Sequence, residues 1–372
     1  MRKGWEYKKL GEVGTFLRGK NILKSDFVEK GFPCIHYGQI HTKFGISTDT
    51  HLTETSQEVY NKAIIASKND VLIAITSEDL EGSCKATAWL GDYDVAVSAH
   101  AAVFKHNLNP KYIVYYLKSQ SFYIEKSKYA RGFKVMEIKP TDIAKIPIPI
   151  PPKSTQLAIV SELDKINELI HLKKEQLKDF DNLAQSLFYE MFGDPVENEK
   201  GWEVKKLGEI CEIFAGGDKP KDMCEIQNNE YIYPVIANGE GEKGILGYTK
   251  NCRVTKEAVT IGARGASIGN CRIVKNGFTP AIRLLTLIPT GSIDCCFLYY
   301  FVKDLNYKQN GAGQAQLTVP NIKCEFIPLP PLPLQHLFAL RIEQIEREKS
   351  EVQKSIQDLE TLLASRMQYW FE

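Results

Sequence analysis

One stretch without proline or glycine, Gln156–Phe192, sets the scale of this chain, and it occurs twice. Its apolar residues Leu163, Ile166, Ile170, Leu177, Phe180, Ala184, Leu187 and Met191 fall on a heptad seam. That pattern predicts a helix with one apolar stripe and favours a coiled coil over a straight surface helix. A helix of this length spans roughly 55 Å at ~1.5 Å per residue, too long to be buried inside one small domain. The second copy, Gln335–Phe371, lies 179 residues further on and keeps the register. There the seam holds Ile342, Ile345, Val352, Ile356, Leu359, Leu363 and Trp370. Each helix has a basic residue where the other is apolar: Lys173 faces the register position of Val352, and Lys349 that of Ile170. Polar seam residues commonly fix register and partner.

Two further repeats flank the helices. Gly4–Glu12 reads GWEYKKLGE and Gly201–Glu209 reads GWEVKKLGE. Before each helix stands a proline-rich exit, Ile146–Pro152 and Ile327–Pro333. Alternating proline excludes helix and central strand, so these are extended spacers that end a domain. The expected division is a first domain over 1–152, a helix over 153–192, a linker over 193–200, a second domain over 201–333 and a helix over 334–372. Each globular half mixes short strands with one helix. In the first half, strands are expected over Val71–Thr76 and Val95–Val103, and a helix over Pro110–Ser119. In the second, strands are expected over Ile232–Ile236, Ala258–Gly262 and Ile282–Ile288, and a helix over Ile293–Lys303. The fold class is therefore α+β: two mixed α/β domains, two long antiparallel coiled-coil helices, and an internal pseudo-two-fold. A frame written twice with divergent interiors suggests one kind of task performed on two different targets.

The net charge of +1 conceals an uneven distribution. Gln156–Phe192 carries −3 and Leu337–Glu372 carries −2, which leaves +6 on the remainder. Mildly basic globular parts are compatible with nucleic acid. No apolar run is long enough to cross a bilayer, and the N-terminus lacks the apolar core of a signal peptide. The nine cysteines show no CxxC pair, so they read as reduced packing thiols in a cytoplasmic protein, with no zinc site. No phosphate-binding glycine motif or catalytic constellation is present, and the expectation is a protein that is not an enzyme.

Binding features are more informative. Tyr37, Gln39, His41 and Lys43 cluster in one expected loop, CIHYGQIHTKFG, a mixture of aromatic, amide and basic groups suited to base edges and phosphates. An ordinary polar turn has the same composition. In IGARGASIGN, Arg264 stands between glycines after a strand, placed for guanine or phosphate, or for capping a neighbouring element. Gln314 and Gln316 can pair with adenine edges, and Lys134, Lys219 and Lys221 can meet phosphate; solvated loops would read the same way.

These residues together resemble the DNA-specificity subunit of Type I restriction–modification systems. The resemblance rests on the GW-E-x-KKLGE starts, Phe192–Pro195 (FGDP), IGARGASIGNCRIV, GAGQAQLTVPNI and the IPLPPLP-Q exit, and spans essentially the whole chain. The first half departs from it: Gln39 stands where Asp is common, and Arg131–Pro140 lacks the glutamines of GAGQAQLTVP. The resemblance implies two target-recognition domains, each reading half of a split double-stranded DNA sequence, held apart by antiparallel helices. It also implies docking to two methyltransferase subunits that methylate adenine with S-adenosylmethionine, and to restriction subunits that use ATP and Mg. This chain would itself hold no cofactor and no metal. A specificity partner of a fused nuclease–methyltransferase, and a non-catalytic coiled-coil scaffold with two ligand modules, remain alternatives.

Overall fold

The computed structural model describes residues 4–132, 135–239, 244–305 and 316–372. The chain forms two compact units, Met1–Lys173 with Ser355–Glu372, and Lys174–Lys354. We label the helices used below α1 (Tyr37–Thr42), α2 (Pro110–Leu117), α3 (Lys153–Phe192), α4 (Cys295–Asp304) and α5 (Leu332–Phe371).

The first unit is built on a five-stranded sheet in the order Gly14–Arg18, Ala101–His106, Val71–Ala74, Ala86–Trp89, Ser47–Thr48. A second sheet pairs Phe32–Ile35 with Val95–Val97 in parallel. The second unit repeats this plan. Its four-stranded sheet runs Cys211–Ala215, Leu284–Pro289, Ala258–Gly262, Cys271–Val274, and Tyr233–Ile236 pairs in parallel with Thr279–Pro280. The central strands Val71–Ala74 and Ala258–Gly262 are buried along their whole length. That is why they read as continuous apolar runs rather than alternating ones.

The proline exits are extended over Pro147–Ile150 and Phe326–Leu329, where each joins a two-stranded ribbon, but Leu332 and Pro333 of the second exit already begin α5, since proline is tolerated in the first turn of a helix. Pro147–Ile150 pairs antiparallel with Glu6–Lys9, and Phe326–Leu329 with Glu203–Lys206. The GW starts and the proline exits are thus the two strands of one device. Immediately after each exit comes a long helix, locked by a glutamine. Gln156 Oε1 accepts from the Asn109 backbone N–H (3.0 Å), and its Nε2 donates to the Pro151 carbonyl (3.0 Å). Gln335 does the same with Asp294 N–H (2.8 Å) and the Pro330 carbonyl (2.7 Å). Asn109 and Asp294 are themselves the N-caps of α2 and α4. Each glutamine therefore fixes the exit, the domain helix and the long helix at one point.

Helices α3 and α5 run antiparallel within each unit, because early residues of one meet late residues of the other. In the first unit Glu162 pairs with Arg366 (Nη2–Oε2 3.1 Å) and accepts from Trp370 Nε1 (2.9 Å). Hydrogen bonding from Arg366 holds the Glu162 carboxyl below the usual range. Leu163 is fully buried there, with Leu363, Met367 and Phe371 in the same core. In the second unit Phe180, Ala184 and Leu187 share a core with Ile342 and Ile345, and Phe188 stacks on Phe297 of α4 and meets Phe338 edge-on. The other seam residues Ile166, Ile170, Val352 and Ile356 are buried, while Leu177 and Leu359 are half-buried. Lys349, the basic seam residue of α5, contacts Asp181 (2.8 Å) and Glu346 (2.9 Å). Burial alone would lower its pKa; the two hydrogen bonds outweigh that and raise it.

Three local expectations need correction. Val95–Val103 is not one strand: it breaks at Ser98–His100 into Val95–Val97 and Ala101–His106, which belong to different sheets. Ile282–Ile288 breaks likewise, so that Ile282 and Arg283 occupy a turn before Leu284–Pro289. The stretch from Tyr37 to Thr42 is helical rather than a loop, capped by His36, whose Nδ1 accepts from Gly38 N–H.

Replacing Gln156 with leucine should leave a buried N–H and a buried carbonyl without partners, at a cost of about 1–3 kcal/mol. Urea unfolding followed by fluorescence should show that loss, whereas Gln353→Ala on the exposed face of α5 should stay within about 0.5 kcal/mol of the parent.

Candidate nucleic-acid interface

The residues proposed from sequence in the second half converge on one edge of its unit. The edge is a set of strand ends tied together by backbone hydrogen bonds. Gly216 N–H donates to the Leu284 carbonyl (2.7 Å), Ile282 N–H to Gly217 (2.9 Å) and Ala281 N–H to Ile236 (2.7 Å). Ala263 N–H donates to the Arg283 carbonyl (3.0 Å), and Leu317 N–H to Ala263 (2.9 Å). Arg264 and Gln316 pair across an isolated antiparallel bridge, which brings two distant sequence candidates side by side. Lys219 and Lys221 follow Gly217 directly, and both are exposed. Gln314 lies outside the described residues. Close packing explains Gly262 at this edge: a Cβ there would meet the Ser267 carbonyl at 2.2 Å. Asn238 donates from Nδ2 to the Arg264 carbonyl (2.6 Å), fixing the turn that carries the arginine.

The first unit builds the same edge from different side chains. Gly19 N–H donates to the Ala101 carbonyl (2.9 Å), Ser98 N–H to Ile35 (3.1 Å), Ile75 N–H to His100 (2.9 Å) and Ile138 N–H to Ile75 (3.0 Å). Position by position, Thr76 stands for Arg264, Glu137 for Gln316, His100 for Arg283 and Tyr37 for Asn238. Glu137 is engaged by Arg18 at 3.0 Å. Tyr37 lies at the start of α1, its ring against His100 (centroids 5.0 Å apart) and edge-on to His41. His41 Nε2 is within 2.9 Å of the Thr76 carbonyl, so its ring is anchored to the strand end. Gln39 is committed internally: its Oε1 accepts from His36 N–H (3.1 Å) and its Nε2 donates to Thr53 Oγ1 (3.2 Å). It closes the cap of α1. Lys43 is exposed at the end of that helix, and Lys134 lies outside the described residues. Glu78, Asp79 and Glu81 rim a groove of about 670 Å³ beside Tyr37, His41 and Thr76. Carboxylates there oppose phosphate but can accept from a cytosine amino group.

Sequence reasoning missed Arg18, Asn238, His100 and Arg283. Their positions depend on which strands are neighbours, and only the turn break after Pro280 would have marked the last of them.

A model of the family described as the Type I restriction modification DNA specificity domain matches residues 2–179 and 199–361. The chain belongs to this family. A putative type I specificity subunit of Mycoplasma pneumoniae is 28% identical over 256 residues, covering 65% of this chain and 75% of that relative. A putative type I restriction enzyme specificity subunit of Methanocaldococcus jannaschii is 21% identical over 403 residues, covering 96% and 92%. Two solved structures share the fold. The S subunit from M. genitalium covers 99% of this chain and 96% of its own, with a TM-score of 0.58 at 16% identity. A chain from a study of complex assembly and conformational transition of the type I R-M system covers 99% and 97%, with a TM-score of 0.65 at 20% identity. Like other specificity subunits, the chain recognises DNA sequence and is not itself an enzyme. The two matched segments coincide with the two repeats, so each edge described above belongs to one specificity domain.

Burial pushes the thiol pKa of Cys84, Cys211 and Cys271 up to about 12, and all nine cysteines are free. No helix among the described residues is long and apolar enough to cross a membrane, and no cluster of metal-ligating side chains occurs among them.

His36 supplies a pH-dependent feature. Burial is the main cause that lowers its pKa, and the nearby Lys24 and His100 charges add to it. A folded pKa below the unfolded value of ~6.5 means stability is fully present above that pH and is lost as pH falls through it. His36→Asn keeps a capping oxygen but does not titrate. Relative to the parent, its thermal midpoint should therefore improve as pH is lowered from 7.5 to 5.5; parallel curves would contradict the assignment.

Proposed function

We propose that each of the two specificity domains reads one half of a bipartite, asymmetric double-stranded DNA sequence, and that the α3–α5 pair carries the chain's docking sites for two methyltransferase subunits. The observation that carries this reading is the duplicated edge: one hydrogen-bond frame holds Arg264, Gln316 and Arg283 in one unit, and Thr76, Glu137 and His100 in the other. A conserved frame with exchanged side chains is what reading two different half-sites requires, since base contacts rather than phosphate contacts carry sequence information. The docking reading is supported by apolar side chains on the long helices that lie off the seam. Leu169, Leu172 and Leu183 on α3 and Leu340 and Leu362 on α5 are 45–63% exposed. Leu169 and Leu172 lie three residues apart on one helical face, a spacing that lets one protein partner cover both.

In this reading S-adenosylmethionine belongs to the methyltransferase partner, and ATP and Mg to a restriction partner. The complex acts on cytoplasmic DNA. A scaffold without DNA specificity would lack salt-dependent DNA binding, whereas a specificity subunit loses affinity steeply as salt rises.

The two domains should be separable in function. Exchanging residues 12–145 for the equivalent part of a relative should change one half of the methylated motif in cells and leave the other half intact; a change in both halves would defeat the modular reading. Within the second domain, Arg264→Ala should weaken binding to the recognised duplex by about 1–3 kcal/mol in a titration at fixed salt. Lys219→Ala should instead weaken binding to all sequences and reduce the salt slope by about one.

A further inference from the structure

The turn at Ile282–Arg283 is strained in a way the shared frame does not demand. Ile282 has φ +24° and Arg283 φ +60°, consecutive left-handed residues neither of which is glycine. Left-handed geometry is a marked outlier for a β-branched side chain and persists only where the surroundings over-determine it. Here they do. Ala281, Ile282 and Arg283 are held by backbone hydrogen bonds to Ile236, Gly217 and Ala263, and Leu284 accepts from Gly216. The other left-handed non-glycines among the described residues are isolated: Asn69, Cys84 and Asn198, two of them the residue type that tolerates this region best.

The equivalent turn of the first unit, Ala99–His100, keeps the same tie from Ile75 N–H to the His100 carbonyl without a left-handed residue. The frame therefore permits an unstrained turn, and the strain in the second unit belongs to where its two side chains are aimed. Both are exposed, and Ile282 is 44% exposed. Among the described residues the Arg283 guanidinium has no hydrogen-bond or ion-pair partner, and the residue sits one backbone hydrogen bond from the Arg264–Gln316 bridge.

We propose that Ile282 and Arg283 form a preset reading element of the second specificity domain, Arg283 pairing with the O6/N7 edge of a guanine and Ile282 lying against a flanking thymine methyl. This rests on the reading of that domain as a half-site reader. A turn fixed before binding has little backbone freedom left to lose on contact, so the side chains gain selectivity at low ordering cost. Arginine at a guanine edge is the commonest specific contact, and an apolar side chain suits the thymine methyl.

The test is selection from a randomised duplex pool with the full-length chain, followed by titration of the enriched sequence and of single-base variants. The parent should enrich a motif. Arg283→Ala should lose preference at one guanine–cytosine position in one half of it, with discrimination there falling about 5- to 150-fold, the equivalent of ~1–3 kcal/mol. Ile282→Gly should relieve the strain, so its melting midpoint should hold or rise while preference at that guanine and its neighbour falls. That combination separates a reading role from a folding defect. An unchanged motif for Arg283→Ala would overturn the proposal. So would a uniform loss of affinity for all sequences with a shallower salt dependence, which is the signature of a phosphate contact. Failure of the parent chain to enrich any sequence would instead count against half-site reading itself, and would show before any variant is made.

Discussion

The buried glutamine at the start of each long helix is the contact on which both units depend. Gln156 and Gln335 are 2% and 0% exposed, and each satisfies a domain-helix N-terminus and a proline-exit carbonyl at once. An exit built of proline cannot hydrogen-bond through most of its own N–H positions, so it needs an outside donor to be fixed in place. The glutamine is such a donor at the junction with the long helix, and in the first unit the Tyr112 hydroxyl donates to the Pro149 carbonyl as well.

Around that point the two units use different packing for the same job. The first relies on a polar network: Asp164 of α3 meets Lys111 Nζ (2.9 Å) and the Tyr115 hydroxyl (2.7 Å) of α2. The second relies on aromatic packing of Phe188 and Phe192 against Phe297 and Phe338. Either solution orients the helix, because the requirement is a defined contact between one helix and the next, not a particular chemistry. The same tolerance extends to the recognition edge, where the backbone bonds repeat and the side chains do not. A frame held by main-chain hydrogen bonds leaves its side chains free to differ, and a protein that must read different sequences benefits from that freedom.

The strong signals in the sequence were those that depend on local covalent or periodic facts. The heptad seam, the absence of glycine and proline from the long helices, the proline exits and the 179-residue repeat of the helices each follow from backbone geometry or from side-chain spacing. Arg264 and Gln316 were also visible, as an arginine between glycines and a glutamine in a glycine-rich loop. Gln39 looked equally suited to a base, yet its carbonyl oxygen accepts from His36 N–H to close the α1 cap and its Nε2 donates to Thr53, fourteen positions away on a strand. Composition cannot separate an amide that reads a ligand from one that satisfies its own fold.

The sequence by itself determined that there are two domains of one design, two antiparallel-competent helices and no catalytic constellation of recognised spacing, because repetition, periodicity and motif spacing are properties of the chain as written. Only the tertiary structure decided which candidate residues share an edge. Arg264 meets Gln316, and Arg283 joins them, through hydrogen bonds between strands far apart in sequence. It also decided that Val95–Val103 breaks into two strands of different sheets, and Ile282–Ile288 into a turn and a strand. Residue type along such a stretch does not mark the break; the direction of the chain there is set by the neighbouring strands that accept and donate its hydrogen bonds.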